Sequence, residues 1–199
     1  MKIVAIGGVP GTGKTVLMKR CIRKLGPFKS KKIGTIECLL NSKKKLLILG
    51  RYDDADGYAQ GTDMLSMSVQ PEAEELVEDG KYHILFEGDR LFNVKFLVHC
   101  KKHADLNIFV LSAPEDLLAE RYAKRGSTQS ETFRRSRYSK VAKARANAAL
   151  AKHIQLVNHV DREDMKEAFQ LIDDSFFNGY LVEETWKEVR KKTGIGKFL

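Results

Sequence analysis

The sequence predicts an α/β fold in which a parallel sheet is flanked by helices on both faces. Short apolar runs alternate along the chain with longer segments of helical periodicity, which is the pattern of such a sheet. The first apolar run, Ile3 to Ile6, leads straight into a glycine-rich turn and then into a helical segment. The 199 residues, 43% of them hydrophobic, are enough to build one core. We therefore expect a single domain over residues 1–199.

The individual elements follow from this alternation. We expect strands at about 2–6, 33–40, 45–50, 82–87, 106–111 and 153–157. We expect helices at about 14–25, 71–79, 93–102, 114–125, 131–151, 162–177 and 180–192. Two β-prone runs flank the short polar turn Asn41-Ser42-Lys43, so the second and third strands should form a β-hairpin. Pro71 and Pro114 fall in the first turns of their helices, where a missing N–H costs nothing.

Cysteine usage and hydropathy indicate a soluble, cytoplasmic protein. Cys21, Cys38 and Cys100 are odd in number and lack zinc-binding spacing, so we expect reduced thiols. No apolar stretch approaches the length needed to cross a membrane. The first apolar run ends in a glycine-rich loop, whereas a signal peptide would end in a cleavage site.

The most specific motif is a complete phosphate-binding loop of the form G-x-x-x-x-G-K-[ST]. It comprises Gly8, Val9, Pro10, Gly11, Thr12, Gly13, Lys14 and Thr15. The glycines let backbone N–H groups surround phosphate oxygens, Lys14 adds a positive charge near the β- and γ-phosphates, and Thr15 is placed to hold Mg²⁺. The preceding strand and the following helix supply the context that the motif requires, so a P-loop nucleoside-triphosphate kinase fold is predicted.

A second constellation is the apolar strand that ends in Glu87-Gly88-Asp89, which resembles a Walker B strand. Its carboxylates should lie at the carboxyl end of the sheet, beside the phosphate loop. Glu87 is the preferred acid for organising Mg²⁺, since a carboxylate ending an apolar strand is costly without a cation nearby. Asp89 is the second candidate for a catalytic acid, with a helix cap near Leu91 as its alternative role.

The acceptor side of the site is predicted from two acids that follow the hairpin. Asp53 and Asp63 are candidates to accept the proton of an acceptor hydroxyl, and Asp63 is preferred. Asp54 and Asp56 are interpreted as loop residues. Ordinary turn chemistry explains the same acids without catalysis.

A basic helical lid is predicted at about 121–150. Arg121 and Arg125 lie one helical turn apart, where they could offset charge on a transferred phosphoryl group. Arg134, Arg137 and Tyr138 follow on a second basic helix and are candidates for nucleic-acid contact. An ordinary amphipathic helix capped by Thr128 or Ser130 would account for the second helix equally well.

The formal net charge of +9 is unevenly distributed. One basic zone comprises Lys29, Lys31, Lys32, Lys43, Lys44 and Lys45. The other comprises Arg121, Lys124, Arg125, Arg134, Arg135, Arg137, Lys140, Lys143, Arg145 and Lys152. A polyanionic partner in addition to the nucleotide would explain both zones, although a solvated surface explains the hairpin lysines as well.

Together these motifs resemble the bacteriophage P-loop kinases of thymidine hypermodification, the 5-hydroxymethyluracil DNA kinases. The resemblance covers about residues 1–160 and includes the phosphate loop, the hairpin leading to LGRYD, the GTDMLSMSVQPEA stretch, FEGDR and the arginine-rich lid. It departs at Met64, where the family pattern has arginine. The resemblance implies ATP and Mg²⁺ as cofactors, DNA containing a modified pyrimidine as substrate, and the cytoplasm of a phage host as location.

Other functions fit the same motifs. A deoxynucleoside or nucleotide kinase acting on a free acceptor needs every residue named above. A polynucleotide end kinase shares the chemistry and requires only a terminal hydroxyl. A nucleotide-dependent DNA-binding ATPase would hydrolyse ATP without any acceptor.

Overall fold

A computed structural model of the protein describes residues 1–52, 61–124, 126 and 130–178. Its strands are β1 (Lys2–Gly7), β2 (Lys29–Ile33), β3 (Ile36–Asn41), β4 (Leu46–Leu49), β5 (His83–Glu87), β6 (Asp105–Ser112) and β7 (Ile154–Asn158). Its α-helices are α1 (Lys14–Leu25), α2 (Gln70–Asp79), α3 (Val94–His103), α4 (Glu115–Lys124), α5 (Glu131–Ala146) and α6 (Arg162–Phe177). The predicted α/β fold is confirmed over these residues.

All of these strands belong to one sheet, in the spatial order β2-β3-β4-β5-β1-β6-β7. Pairing is parallel from β4 to β7, and β3 is antiparallel to both β2 and β4. Ile6 pairs with Glu87, and Gly7 pairs with Val110. The phosphate loop therefore begins at the carboxyl edge of the sheet, directly beside the end of β5.

The core lies on both faces of the sheet. Ile3 and Ala5 of β1 pack in the layer that contains α2 and α3, whereas Val4 and Ile6 pack in the layer that contains α1 and α6. All four side chains are fully buried. A strand covered on both faces needs a continuous apolar run, which explains the composition of the N-terminal segment.

The hairpin is confirmed, but its first strand begins later than predicted. The strand expected at 33–40 corresponds to β3, and a further strand, β2, precedes it across a turn at Gly34, where φ is 56°. β2 was missed because it is an edge strand whose lysines and serine are exposed, so it lacks the apolar alternation of a half-buried strand.

The long helix predicted at 131–151 is also shorter than expected. Helix α5 ends at Ala146, and the Asn147 side chain then accepts a hydrogen bond from the Ala149 N–H at 3.0 Å. This local bond competes with helix continuation. A short 3-10 helix, Ala151–His153, leads into β7. The helix predicted at 180–192 lies outside the described residues.

The three cysteines are buried free thiols, as predicted. Burial raises the pKa of Cys21 to about 12 and that of Cys38 to about 11, so both stay protonated at neutral pH. Within the described ranges, the model contains no helix with the length and apolar character of a membrane span.

Candidate active site

The phosphate loop connects β1 to α1 and has the backbone that its glycines permit. Gly8, Gly11 and Gly13 have φ values of 136°, 80° and 88°, a region that residues with a Cβ rarely adopt. The buried Thr12 side chain donates from Oγ1 to the Val9 carbonyl at 2.9 Å and closes the turn from inside. These glycines and this hydrogen bond give the loop its shape, and α1 begins directly after it at Lys14.

Gly13 is also required by a long-range contact with His159. A Cβ at Gly13 would lie 2.3 Å from both Cε1 and Nδ1 of the His159 ring. His159 follows β7, is 4% exposed, and donates its backbone N–H to the Ser112 carbonyl at 2.9 Å. Burial lowers the pKa of its imidazole, so the ring is neutral at physiological pH. The loop therefore rests on a flat, uncharged ring.

Helix α4 holds the outer side of the loop through Arg121 and Tyr122. The Arg121 guanidinium donates to the carbonyl of Gly11 at 3.0 Å, to that of His159 at 3.1 and 3.2 Å, and to that of Val160 at 3.1 Å. The Tyr122 hydroxyl donates to the Pro10 carbonyl at 2.6 Å. Arg121 thus joins the loop to the segment after β7. Its predicted catalytic role stays a prediction, and Arg125 lies outside the described residues.

The inner end of the loop meets Glu87, as the Walker B prediction requires. Thr15 donates from Oγ1 to Glu87 Oε1 at 3.3 Å, and Thr62 donates from Oγ1 to the Glu87 carbonyl at 2.8 Å. The Lys14 ammonium donates to the carbonyls of Gly8 and Val9 at 2.8 and 3.1 Å and lies across the loop. Thr15 and Glu87, the two residues predicted to hold Mg²⁺, are therefore in contact with each other.

Glu87 is a carboxyl whose charge is poorly compensated. It is 2% exposed, and burial raises its pKa to about 7. The nearby Asp63 and Asp89 carboxylates raise this pKa further, whereas Lys14 and the hydrogen bond from Thr15 lower it. Hydroxyl and carboxylate oxygens are the ligands that Mg²⁺ prefers, and a divalent cation would relieve this excess of negative charge. The residues present therefore fit Mg²⁺.

Asp63 lies opposite Glu87 and is oriented by Arg90. It belongs to a short 3-10 helix, Thr62–Met64, and its Oδ1 accepts from the Arg90 backbone N–H at 3.2 Å. The Arg90 side chain donates from Nη2 to the Asp63 carbonyl at 3.1 Å. Although Asp63 is exposed, desolvation by the surrounding chain raises the pKa of its carboxyl, and the charge of Asp89 raises it further. This carboxyl is therefore more basic than an ordinary aspartate.

Asp89 is tied to helix α5 and does not cap α3. Its Oδ2 lies 2.5 Å from Nε of Arg137, and its carbonyl accepts from Lys140 Nζ at 3.1 Å. The interpretation of Asp89 as the cap is wrong, because Asn93 caps α3 by accepting from the Phe96 N–H at 3.0 Å. The Asn93 side chain reaches the N–H of the third helical residue, and the Asp89 carboxylate is paired with Arg137 instead.

The predicted nucleic-acid residues on α5 have different surroundings. Arg137 also lies over the Phe133 ring at 4.2 Å, and Arg134 lies over the Tyr122 ring at 5.4 Å. Tyr138 is 45% exposed. Ser130 caps α5 by accepting from the Phe133 N–H, which confirms one of the two caps considered, and Thr128 lies outside the described residues. The DNA contacts of α5 stay predictions.

Several site residues were missed by sequence reasoning. His159, Thr62, Arg90 and Tyr52 all contact or border predicted site residues. His159 carried a usable signal, because it follows a strand of a parallel sheet and such positions meet at the carboxyl edge. The others reach the site from loops, where the sequence has no periodicity to place them. Asp53, an alternative to Asp63, lies outside the described residues.

These features give the chain the sequence motif and the structural surroundings of a phosphate-binding loop. A glycine-rich loop joins the first strand of a parallel sheet to a helix, Lys14 and Thr15 end that loop, and an acid on the neighbouring strand contacts Thr15.

Comparisons with known proteins give the following. No protein-family model matches the chain. No curated protein matches its sequence. Among solved structures, the fold is similar to that of a gluconokinase from Sinorhizobium meliloti 1021, with a TM-score of 0.45 and 10% sequence identity, over 96% of this chain and 97% of that one.

Proposed function

We propose that the protein is an ATP- and Mg²⁺-dependent kinase with an alcohol acceptor. The observation that carries the proposal is the 3.3 Å contact between Thr15 of the phosphate loop and Glu87. This contact joins the phosphate loop to Glu87, a carboxyl whose pKa is raised. Asp63 and Asp89 lie near Glu87.

The residues around the loop support in-line phosphoryl transfer. The loop amides and Lys14 would bind the β- and γ-phosphates, so the Lys14 ammonium would exchange the carbonyls of Gly8 and Val9 for phosphate oxygens. Thr15 and Glu87 would hold Mg²⁺, which offsets negative charge on the transferred group. Catalysis would come from positioning and electrostatics.

Asp63 is the better candidate to accept the proton of the acceptor hydroxyl. Its carboxyl has a raised pKa, and its orientation is held by Arg90. Asp89 instead forms an ion pair with Arg137, so its carboxylate already has a partner. In the reaction the acceptor oxygen bonds to the γ-phosphorus, the bond to the β,γ-bridging oxygen breaks, and ADP leaves. The proton of the hydroxyl passes to Asp63.

The proposed acceptor is the hydroxymethyl group of 5-hydroxymethyluracil in DNA. Support comes from the resemblance to the hydroxymethyluracil DNA kinases and from the net charge of +9, which suits a polyanionic substrate. The target base would have to leave the stack to reach the recessed acids near Glu87. On this proposal Arg134, Arg137 and Tyr138 contact the DNA.

The test uses γ-labelled ATP and duplexes with blocked ends that contain either thymine or 5-hydroxymethyluracil. After digestion to nucleosides, we expect label only on the hydroxymethyl nucleoside. Label on a free nucleoside or nucleotide, and none on the duplex, would assign a small-molecule kinase. Hydrolysis stimulated by DNA with no labelled nucleoside would assign an ATPase. Lys14→Ala protein serves as the control for contaminating kinases.

A further inference from the structure

Three potential metal ligands meet where helices α2 and α3 pack together. Glu78 belongs to the last turn of α2, and His99 and His103 lie one turn apart near the end of α3. Residues four apart on a helix share a face, so both imidazoles can reach the same side. The ligand atoms that the three side chains offer all lie within 4.8 Å of one another. His99 Nε2 is 3.5 Å from Glu78 Oε1, and the rings of His99 and His103 stack with their centroids 4.6 Å apart.

This cluster is separate from the candidate active site. Helix α3 ends at His103, two residues before β6 begins at Asp105, and Asp105 pairs with Lys2 at the start of β1. His103 therefore lies at the amino edge of the sheet, whereas the phosphate loop begins at the carboxyl edge. The six residues of β1 separate these edges by roughly 15–20 Å. A metal ion bound by the cluster would therefore not contact the phosphoryl group that the loop binds.

Two imidazoles and one carboxylate form a donor set that suits Zn²⁺. Zinc binds His nitrogen and Glu oxygen in tetrahedral sites, whereas Mg²⁺ and Ca²⁺ prefer oxygen ligands. Bonds of about 2.1 Å place tetrahedral ligand atoms about 3.4 Å from one another. The side chains of Glu78 and His103 are exposed, so both can rotate to bring their ligand atoms closer to His99. Three protein ligands would leave the fourth position to water.

His99 is the anchored member of the cluster. It is half-buried, and its Nε2 faces two oxygens of α2, the Glu74 carbonyl at 3.3 Å and the Glu78 carboxylate. The Glu74 side chain has other partners, because it accepts from Gln70 Nε2 at 2.7 Å and lies 3.9 Å from the Lys95 ammonium. A metal ion at Nε2 would take the place of a ring proton between His99 and Glu78, and the neutral ring would carry its proton on Nδ1.

We propose that Glu78, His99 and His103 bind a divalent transition-metal ion, with Zn²⁺ as the best fit, and that this ion joins α2 to α3. At the other ends of the two helices, Asn93 Nδ2 donates to Gln70 Oε1 at 3.1 Å, so the ion would fasten the second end of the pair. A bound ion stabilises the folded protein, because the three ligands come together only in that state. This inference does not depend on the proposed kinase activity.

The experiment titrates the full chain, purified without a histidine tag, with zinc chloride in a calorimeter. We expect one Zn²⁺ ion per chain and a thermal unfolding midpoint that rises with the zinc concentration. The titration is repeated in excess Mg²⁺, which occupies oxygen sites such as the one proposed at Thr15 and Glu87. Because Mg²⁺ is a poor match for imidazole nitrogen, the affinity for zinc should not change.

The variants Glu78→Gln on α2 and His103→Gln on α3 each remove one exposed ligand. Loss of an outer-shell partner already weakens metal binding by about 10- to 100-fold, so each variant should bind Zn²⁺ at least about tenfold more weakly than the parent. Glu75→Gln is the matched control, because it removes the same charge from an exposed position on the same helix. Without zinc, all three variants should unfold within about 2 °C of the parent, as exposed substitutions usually do.

Four results would overturn the inference. The first is a lack of saturable zinc binding by the parent, and the second is displacement of the zinc by Mg²⁺. The third is equal weakening by Glu75→Gln and Glu78→Gln, which would reduce the effect to surface charge. The fourth is parent-like binding by Glu78→Gln or by His103→Gln, because the ion would then not join the two helices.

Discussion

The two halves of the candidate site are held in place by different kinds of interaction. The phosphate loop is fixed by contacts to its main chain: Arg121 and Tyr122 donate to its carbonyls, and the neutral His159 ring lies against Gly13. The acid half is fixed through its carboxylates: the Asp63 carboxylate accepts a hydrogen bond from the Arg90 backbone N–H, and Asp89 forms an ion pair with Arg137. We therefore expect the geometry of the phosphate loop to depend little on pH and salt, and the arrangement of the acids near Glu87 to depend strongly on both.

This difference has a physical reason. A site for a triphosphate needs backbone amides at constant positions, and here hydrogen bonds to the loop carbonyls and packing against His159 provide them. A site that accepts a proton needs a carboxyl with a raised pKa, which requires burial and like charges. The following predictions test the contrast between the two halves, starting with the largest effect.

The largest effect is expected for Lys14→Ala. Turnover should fall by roughly 10²-fold or more, which is the scale of a lost electrostatic contact to the transferred group. The free energy of unfolding should change much less than turnover, because the Lys14 ammonium donates its hydrogen bonds to two carbonyls of its own loop and is not part of the hydrophobic core. Labelled phosphoryl transfer and urea unfolding measure the two quantities. If the Lys14→Ala variant keeps activity within a few-fold of the parent, the assignment of residues 8–15 as a catalytic phosphate-binding loop is wrong.

Glu87→Gln should lower turnover strongly and raise stability at high pH. The pKa of Glu87 rises from 4.5 to about 7 on folding, so its favourable contribution is complete below pH 4.5 and is lost as pH rises through about 7. Because the glutamine is neutral at every pH, the variant avoids this loss. At 1.36 kcal/mol per pKa unit, the loss is at most about 3 kcal/mol of the free energy of unfolding.

Urea unfolding without Mg²⁺ at pH 5 and pH 8 measures this effect. The variant should be the more stable protein at pH 8, and the two proteins should differ least at pH 5. A variant that is less stable than the parent at pH 8, with unchanged turnover, would make Glu87 a structural residue and Asp89 the acid that organises the metal.

An intermediate effect is expected for Gly13→Ala. The new Cβ would lie 2.3 Å from the His159 ring and would occupy a left-handed backbone, at a cost of about 1–3 kcal/mol in stability. His159→Ala in the same chain removes the steric contact but leaves the backbone strain, so it should restore part of the loss. Thermal unfolding and ATP binding of the two single variants and the double variant separate the two causes. No recovery would mean that His159 does not constrain the loop.

The smallest effect is expected for Arg134→Glu with Arg137→Glu. If both arginines contact DNA, the slope of log K against log salt should flatten by nearly one unit per contact while ATP affinity stays near that of the parent. Loss of the partly exposed Arg137 ion pair with Asp89 should cost about 1 kcal/mol of stability. Arg135→Glu, an exposed neighbour, is the control. If the variant keeps the parent's salt slope and DNA affinity, a small molecule becomes the preferred acceptor.

Much of the fold could be predicted because it depends on short-range patterns. The boundaries of α1 and α6 agree with the prediction, since each has an unbroken amphipathic period and a clear start in sequence. β2 could not be predicted, because an exposed edge strand is stabilised by its pairing with β3 and not by its own composition. The early end of α5 depends on one side-chain hydrogen bond, in which Asn147 accepts from the Ala149 N–H.

The amino-acid sequence by itself determined the phosphate loop, since its glycines, Lys14 and Thr15 are adjacent and their backbone requirements are local. It also determined that Glu87 ends a buried strand. Only the tertiary structure decided what surrounds them: His159 against Gly13, Arg121 on the loop carbonyls, and Asp89 paired with Arg137. These partners are 48 to 146 residues apart, and chain segments so distant meet only because a parallel sheet brings its carboxyl ends to one edge.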